Sequence, residues 1–306
     1  MNKILYSVLT LTLGLVMSGS GCSPDGLHVP DTGWYTSNPS AASFNISTAA
    51  QLAGIAKLTN ENTTDFSGKT INLTANIDLS SYGSGKGWTP ISGHDAFRGN
   101  FDGKGHVISG LYINDSGKEY VGLFGSTYGF IKNLGVVIAL GGITGGEQVG
   151  GIVGNGQDAV IENCYVSGGP VKGTICVGGI AGKILGFDGL INKCYTTVAV
   201  SGNDYVGGIE GQAWFSKITN CVAINTSVTA TGSNKGRVAG SSNGTLTKNY
   251  ALATMPGSWS YKDHDKLDGQ DVSDTGSQDS SFYISLGWDF DNIWYIKYGE
   301  KYPRHW

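Results

Sequence analysis

The sequence predicts an all-β fold of the β-solenoid class, in which short parallel strands coil around an apolar interior. The first observation is the composition: Gly supplies 49 of the 306 residues, while 40% of the residues are hydrophobic and 14% are charged. Interior Gly costs a helix about 1 kcal/mol relative to Ala, so a mainly helical protein is disfavoured. The hydrophobic content is also too high for a disordered chain. The second observation is an internal repeat, which indicates how the strands are arranged.

A two-part repeat recurs five times along the middle of the chain. One copy of its first part is Val149-Gly-Gly-Ile-Val-Gly154, and one copy of its second part is Ile161-Glu-Asn-Cys-Tyr165; consecutive copies are 28 or 29 residues apart. A unit this short cannot bury its own apolar face, so the copies must stack. We therefore expect about five stacked repeats, an N-terminal cap with one short helix and a C-terminal β cap. The number of strands per coil and the handedness stay open.

Equivalent positions of the repeat predict which residues build the interior and the turns. Apolar residues at one position are expected to form a ladder inside the coil: Ile131, Ile161, Ile191, Ile218 and Leu246. Glycines at the end of the first part are expected to supply turns, because Gly accepts positive φ and close backbone approach: Gly125, Gly154, Gly182, Gly211 and Gly240. Asparagines near the ladder are expected to adopt the left-handed conformation: Asn133, Asn163, Asn220 and Asn249.

Residues 1–21 are expected to be an export signal. Lys3 supplies the basic start, an apolar stretch follows, and small residues precede Cys22. The segment resembles a bacterial lipoprotein signal, which implies that Cys22 is lipidated and that the protein is anchored at the outer membrane or cell surface. Ordinary secretion is the alternative, since lipoprotein signals usually have Leu or a similar residue where this chain has Gly19.

The remaining chain divides into four segments by composition and pattern. Residues 22–45 are rich in Ser, Pro, Gly and Asp and are expected to form a flexible tether. Residues 46–118 are expected to form the N-terminal cap, in which a capping box at Thr48 and Gln51 starts a helix from Ala49 to about Thr59. The repeat solenoid is expected over residues 119–255 and the C-terminal cap over residues 256–306.

Several of these blocks resemble the GLUG-motif proteins. The resemblance rests on the Val-Gly-Gly-Ile-x-Gly copies, the Asn-Cys-Tyr blocks and Phe101-Asp-Gly-Lys-Gly-His106, together with the closing segment from Gly287 to Trp294 and the Tyr302-Pro303 pair. It covers about residues 46–306. It implies a repeat fold that occurs in bacterial surface proteins and in non-catalytic portions of some IgA1-specific peptidases, and it is specific for fold more than for activity.

Cysteines recur at a second repeat position. Cys164, Cys194 and Cys221 are expected to be buried free thiols that stack in the core. Disulfides are the alternative, because an exported protein permits them. Since the chain has no Cys-x-x-Cys pair, we do not expect these residues to bind a metal.

The sequence offers no recognisable catalytic or cofactor site, and neither a metal nor a cofactor is expected. A His-Glu-x-x-His zinc motif is absent. The acidic run from Asp263 to Asp274 is expected to be a solvated loop, because its register does not fit a calcium loop. Asp289 and Asp291 are expected to point outward from a capping strand, rather than to form the carboxylate pair of a glycosidase.

We therefore favour a non-enzymatic adhesion or ligand-binding protein that is anchored at the cell surface and presents a solenoid face to a glycan or host protein. With 20 basic and 24 acidic residues, nucleic acid is not an expected partner. A polysaccharide-processing β-helix enzyme and a structural stalk are the alternatives. Tyr165, Tyr195 and Tyr250 share one repeat position, where they would be core if they face inward or a sugar-stacking strip if they face outward.

Overall fold

Successive coils of the chain stack in parallel register, which confirms the predicted β-solenoid. The computed structural model describes residues 29–93 and 95–306. The expected export signal, Cys22 and its lipid, and His94 lie outside the described residues. The helices are α1 (Gly33–Thr36), α2 (Ala49–Asn60) and α3 (Ser280–Ser285), and two short 3-10 helices cover Ser80–Tyr82 and Gly276–Gln278.

The strands are short and are numbered here in chain order. Those of the first half are β1 (Ser43–Ile46), β2 (Thr70–Leu73), β3 (Ile77–Asp78), β4 (Asn100–Asp102), β5 (Val107–Asn114), β6 (Phe124–Thr127), β7 (Phe130–Thr144), β8 (Glu147–Val149), β9 (Val153–Gln157), β10 (Val160–Gly168), β11 (Val171–Lys172), β12 (Ile175–Gly178), β13 (Ala181–Leu185) and β14 (Leu190–Asn192). Those of the second half are β15 (Tyr195–Thr196), β16 (Val200–Gly202), β17 (Asp204–Gly207), β18 (Glu210–Trp214), β19 (Lys217–Thr219), β20 (Val222–Ala223), β21 (Val228–Ala230), β22 (Lys235–Gly236), β23 (Ala239–Ser242), β24 (Thr245–Thr247), β25 (Tyr250–Leu252), β26 (Gln270–Val272), β27 (Trp294–Tyr295) and β28 (Arg304–His305).

Three parallel sheets form the walls of the solenoid. The first sheet holds 17 strands, from β1 to β26. The second sheet is built from β8, β12, β17 and β22, and the third from β6, β9, β13, β18 and β23. Each of the last four repeat copies therefore contributes a strand to all three walls, and its residues lie directly above their equivalents in the previous copy. A separate antiparallel pair joins β27 and β28 near the C-terminal end of the sequence.

The interior ladder extends beyond the five repeat copies. Eight residues occupy successive positions of one parallel register: Phe44, Ile71, Phe101, Ile131, Ile161, Ile191, Ile218 and Leu246. All but Leu246 are buried, and Leu246 packs against the core from the last coil. The solenoid thus has about seven turns instead of five, because the N-terminal coils continue the apolar ladder without the Gly-rich sequence that identifies a repeat copy.

The five repeat glycines lie in strands of the third sheet and not in turns. This corrects the expected role of Gly125, Gly154, Gly182, Gly211 and Gly240, none of which has a positive φ. The physical requirement is close approach: a Cβ on Gly182 would lie 2.5 Å from the backbone nitrogen of Val149 in the preceding coil. Only Gly permits two backbones to come this near. The corner itself is made by the preceding Gly-Gly pair, such as residues 150–151 between β8 and β9.

Asn133, Asn163 and Asn220 adopt the expected left-handed conformation, with φ of 52°, 51° and 54°. The expectation for Asn249 is wrong, because Asn249 lies one residue later in the repeat, at the position that holds Cys in other copies. Its buried side chain donates to the Ile218 carbonyl at 2.7 Å. In that copy and in the third, lysines take the left-handed position.

Cys164, Cys194 and Cys221 are buried and free. Each thiol lies 3.2 Å from the carbonyl oxygen two residues before it. Burial raises the pKa of the Cys194 thiol well above its ordinary value, which keeps it neutral. The three side chains therefore act as small apolar residues with a weak donor to the backbone.

The segment expected to be a flexible tether is folded from Gly33 onward. Helix α1 places Trp34 against Phe66, with ring centroids 5.9 Å apart and planes 15° apart. Strand β1 then pairs with β2 and starts the interior ladder. Aromatic burial thus outweighs the turn-rich composition of residues 22–45. Helix α2 starts as predicted, since Thr48 accepts a hydrogen bond from the Gln51 backbone at 3.2 Å.

The C-terminal segment after β26 folds back along the outer flank of the solenoid. Trp288 donates from its indole nitrogen to the Asn220 carbonyl at 2.9 Å, and Tyr195 donates to the Pro303 carbonyl at 2.6 Å. Asp289 accepts bonds from the backbone nitrogens of Asp291 and Asn292, so these residues form a turn and not the expected capping strand. This segment therefore covers a side wall, rather than only closing the last coil.

Candidate functional site

The tyrosine row lies on the outer side of the first sheet and is covered. Tyr165 and Tyr195 are each only 3% exposed, and they belong to a second apolar cluster with Trp288 and Trp294, apart from the solenoid interior. Tyr250 continues the row and packs edge-on against Phe282 at 5.1 Å. The C-terminal segment thus occupies the surface on which a sugar would have to stack.

The acidic loop has a structural role at the last coil. Arg237 is fully buried and pairs with Asp271 at 2.6 Å, while Asp268 accepts bonds from the backbone nitrogens of Arg237 and Tyr261. The Arg237 contact lowers the pKa of the Asp271 carboxyl, against the opposing effect of its partial burial. The Asp271 carboxylate and the Asp268 backbone carbonyl therefore hold the buried guanidinium in place, while the Asp268 carboxylate binds the backbone beside it.

Asp263, His264 and Asp265 form an exposed cluster whose possible ligand atoms lie within 4.8 Å of one another. The hydrogen bond that His264 donates to the Asp265 carboxylate raises the pKa of His264. Three ligands are half or fewer of the six to eight oxygens that calcium takes. The cluster is thus accounted for by its internal charge pairing.

One serine, Ser242, lies in a Gly-x-Ser-x-Gly string from Gly240 to Gly244. Ser242 ends strand β23 and its hydroxyl accepts a bond from the Gly244 backbone at 3.1 Å. A nucleophile elbow requires a turn from a strand into a helix and a neighbouring base. Ser242 is followed by strand β24, and in the described part of the chain no histidine hydrogen-bonds to it. The string is a consequence of the repeat glycines.

An exposed row of side chains crosses the third sheet along the solenoid axis. We call it the aromatic strip. It contains one residue from each of five successive coils: Arg98, Tyr128, Gln157, Leu185 and Trp214. The register follows from the pairs Phe97 with Thr127, Thr127 with Gly156, Gln157 with Leu185, and Ile184 with Ala213.

Tyr128 and Trp214 are the exposed rings of the aromatic strip, with 36% and 43% of their surfaces accessible. The Arg98 guanidinium lies 4.1 Å from the Tyr128 ring centroid, and the Lys183 ammonium lies 5.3 Å from that of Trp214. The Tyr128 hydroxyl donates to the Gln157 side-chain oxygen at 2.5 Å. Cation–π contacts and this hydrogen bond hold both rings in place while leaving them open to solvent.

Two phenylalanines extend the aromatic strip at the Trp214 end. Phe187 is 72% exposed and Phe215 is 42% exposed. Their rings stack with centroids 5.0 Å apart, and Phe215 meets Trp214 edge-on at 6.0 Å. Exposed aromatic side chains that contact one another are an interaction surface more often than isolated ones are.

The aromatic strip was missed in the sequence although the repeat contains it. Four of its members stand three residues after the last Gly of the first four copies, at Tyr128, Gln157, Leu185 and Trp214. This position is chemically variable from copy to copy, whereas the tyrosine position holds Tyr in three of the five copies. A search for repeated residues therefore finds the covered tyrosines. A search for solvent-facing repeat positions would have found the strip.

The described residues also enclose cavities. One, of about 510 Å³, lies beside α2 and has Tyr82 and Trp88 in its wall. Its charged side chains, Lys57 and Glu61, form an ion pair with each other. Another, of about 470 Å³, separates the covered tyrosines from Glu300 and Arg304.

These features define a β-solenoid with an open, aromatic side wall. The GLUG motif family matches residues 145–169, which confirms the resemblance seen in the repeat. In the described residues, no helix is long and apolar enough to cross a membrane.

Two relatives match parts of the chain. Halomucin from Haloquadratum walsbyi is 35% identical over 163 residues, which is 49% of this chain and 2% of halomucin. A candidate Gly-rich membrane protein from Evansella cellulosilytica is 33% identical over 129 residues, which is 40% of this chain and 14% of that protein. The chain therefore spans only a small part of the length of either relative.

A solved structure has the same fold. A candidate immunoglobulin A1 protease from Bacteroides ovatus superposes with a TM-score of 0.58 over 86% of this chain and 92% of that one, at 21% identity. At this identity the likeness concerns the fold. It extends the solenoid similarity well beyond the short segment that the GLUG motif matches.

Proposed function

We propose that this chain is a non-enzymatic binding protein of the bacterial cell surface that presents one solenoid wall to a glycan or host protein. The observation that carries the proposal is the aromatic strip. Its rings are exposed and fixed by neighbouring cations, and five coils contribute to it in register. A rigid repeated wall binds long ligands through many weak contacts that add together.

The proposed location rests on the relatives and on the expected export signal at residues 1–21. One relative is described as a membrane protein, which supports a membrane or cell-surface location. The lipid proposed at Cys22 would supply the attachment.

A polysaccharide-processing enzyme is the main alternative. Hydrolysis of a glycosidic bond uses two carboxyl groups on opposite sides of the bond, roughly 5 to 10 Å apart. The polar members of the aromatic strip are Arg98, Gln157 and the adjacent Lys183. Of the carboxylates that flank it, Asp65 pairs with Arg98 and Asp158 accepts a bond from the Asp188 backbone. Asp289, which the sequence offered as one of a pair, accepts bonds from a turn of its own backbone. This arrangement favours binding over turnover.

The proposal is tested by incubating the purified protein with arrays of glycans and extracellular host proteins. We expect retention of at least one ligand without product formation, including no cleavage of immunoglobulin A. Turnover that persists through repurification and is abolished by a single substitution would establish an enzyme instead. Binding to no ligand on either array would favour the structural stalk.

A further inference from the structure

We propose that the aromatic strip binds a neutral glycan chain that lies along the solenoid axis. This inference rests on the function proposed above, and it names the ligand class and the orientation at the same site. It follows from ring spacing, from the hydrogen-bonding groups between the rings and from the local charge.

The exposed rings provide two separate stacking positions. Tyr128 and Trp214 are three coils apart, and parallel strands in a sheet are roughly 4.8 Å apart, so the rings are about 14 Å apart along the axis. The apolar face of a sugar ring packs on the face of an aromatic ring. The hydroxyl groups at the edge of the sugar remain available for hydrogen bonds. A chain along the axis reaches both rings, whereas a chain across the solenoid reaches one.

Amide and ammonium groups lie between the two rings. Gln157 uses its side-chain oxygen for Tyr128, and within the described residues its amide nitrogen donates to no protein acceptor. Asn155 and Lys183 are paired across neighbouring coils of the same sheet, and both are partly exposed. These groups offer donors and acceptors that suit the hydroxyls of a sugar.

The charges around the aromatic strip nearly balance. Arg98 lies 3.5 Å from Asp65, which offsets its charge. Two further carboxylates belong to residues next to the strip: Asp158 follows Gln157 and Asp188 follows Phe187, and the Asp188 backbone donates to the Asp158 carboxylate at 3.2 Å. A polyanionic glycan would meet these carboxylates and would gain little from the two cations. The local charge therefore fits a neutral chain.

The assignment is tested with neutral polysaccharides: a mixed-linkage β-glucan, a galactomannan and an α-mannan. Retention by at least one is expected in affinity electrophoresis. Trp214→Ala and Tyr128→Ala should each weaken it about tenfold or more. The matched controls, Trp306→Ala and Tyr298→Ala, remove exposed aromatics of 68% and 105% relative accessibility from another surface, and they should retain wild-type binding. Unchanged thermal unfolding of each variant would show that the fold is intact.

Chain length tests the orientation. A disaccharide of the retained polysaccharide reaches one ring only. Its affinity for the protein should fall in one of the Trp214→Ala and Tyr128→Ala variants and stay unchanged in the other. A longer oligosaccharide that spans both rings should bind more tightly to the wild type and be weakened by either substitution. Equal affinity for short and long chains would overturn the axial orientation.

The other outcomes separate the ligand class from the proposed function. Binding of polygalacturonate or of a protein in place of neutral glycans, if lost in the Trp214 variant, would overturn the neutral-glycan assignment and leave a binding function in place. Loss of glycan binding in the Trp306 variant but not in the Trp214 variant would place the site elsewhere. Binding to none of these ligands would count against both proposals.

Discussion

Tyr165 and Tyr195 stack face to face, with ring centroids 5.2 Å apart and planes 9° apart, beneath the C-terminal segment. Their stacking follows from the repeat, since equivalent residues of adjacent coils lie directly above one another. Their burial follows from a segment outside the repeat. The same two rings would otherwise form an exposed strip, so the C-terminal segment decides which wall of the solenoid is available to ligands.

Two substitutions of Tyr195 should destabilise the protein by different amounts. Tyr195→Phe removes the hydrogen bond to the Pro303 carbonyl and should cost about 1 kcal/mol. Tyr195→Ala also removes the buried ring and should cost about 4 kcal/mol. Denaturant unfolding measures both values. Tyr298→Ala, at a fully exposed position, should remain within about 0.5 kcal/mol of the wild type. Equal values for the two Tyr195 variants would contradict the packing of the ring.

His305 should make the C-terminal segment sensitive to acid. Its ring nitrogen Nε2 lies 2.8 Å from the Asn163 carbonyl and therefore carries the proton of the neutral ring. Burial lowers the pKa of His305 to about 4 from 6.5. Because the folded-state pKa is lowered, the stabilisation is complete above pH 6.5. It is lost as the pH falls towards 4, by an amount on the order of 3 kcal/mol.

Hydrogen exchange of the C-terminal segment between pH 4 and 7 measures this loss, after correction for intrinsic exchange rates. His305→Gln keeps a donor for the Asn163 carbonyl and should flatten the pH dependence. His264→Gln, at an exposed histidine, should not flatten it. A wild-type segment that is equally protected at pH 4.5 and pH 7 would disprove the assignment.

The sequence predicted the parts of the fold that repeat. Ile161 and Ile191 are equivalent in the sequence and are paired in the structure, because stacking turns sequence periodicity directly into contacts. The contacts from Tyr195 to Pro303 and from Asn163 to His305 join residues 108 and 142 positions apart. No periodicity relates these partners, so the covering of the tyrosine row could not be inferred from the repeat.

The aromatic strip was predictable in its position but not in its chemistry. The repeat fixes one strip position in each coil, but Tyr128, Gln157 and Trp214 differ in kind. Which residues are exposed depends on where segments outside the repeat pack, as the burial of Tyr165 and Tyr195 shows. That is a property of the folded chain and not of the repeat.

The interior ladder should be much less tolerant of substitution than the left-handed position beside it. Ile191 is fully buried, and Ile191→Asp would bury an unpaired carboxylate at a cost of several kcal/mol. Lys193 has a φ of 51°, and Lys193→Asn supplies the residue found there in other copies, so the change should stay within about 0.5 kcal/mol. Thermal unfolding compares the two. Similar losses for both variants would refute the register.

Membrane attachment should depend on Cys22. If Cys22 carries the lipid, its acyl chains attach the protein to the membrane, since firm anchoring requires more than one chain. Cys22→Ala removes these chains and should release the protein from the membrane fraction. Cell fractionation and metabolic labelling with a fatty acid analogue measure the effect. Cys176→Ala, which changes a buried cysteine of the solenoid, is the matched control and should leave the protein attached. A wild-type protein found wholly in the soluble fraction would rule out the anchor.

Glu210 should destabilise the solenoid as the pH rises. It lies fully buried between Ala181 and Ala239 of the adjacent coils. One carboxyl oxygen accepts a hydrogen bond from the Ile184 backbone at 2.6 Å, and the other has no partner among the described residues. Burial raises the pKa of Glu210 well above its ordinary value, against the opposing effect of that hydrogen bond.

The folded protein therefore binds this proton more tightly than the unfolded chain does. The contribution of Glu210 to stability is complete below the unfolded-state pKa of about 4.3 and is lost as the pH rises towards the folded-state pKa. Glu210→Gln keeps the acceptor for Ile184 and removes the titration. The variant should gain stability over the wild type at pH 8, with a smaller difference at pH 4. Denaturant unfolding across this range measures the slope, with Glu119→Gln as the exposed control, and parallel pH profiles for wild type and variant would show that Glu210 stays ionised in the core.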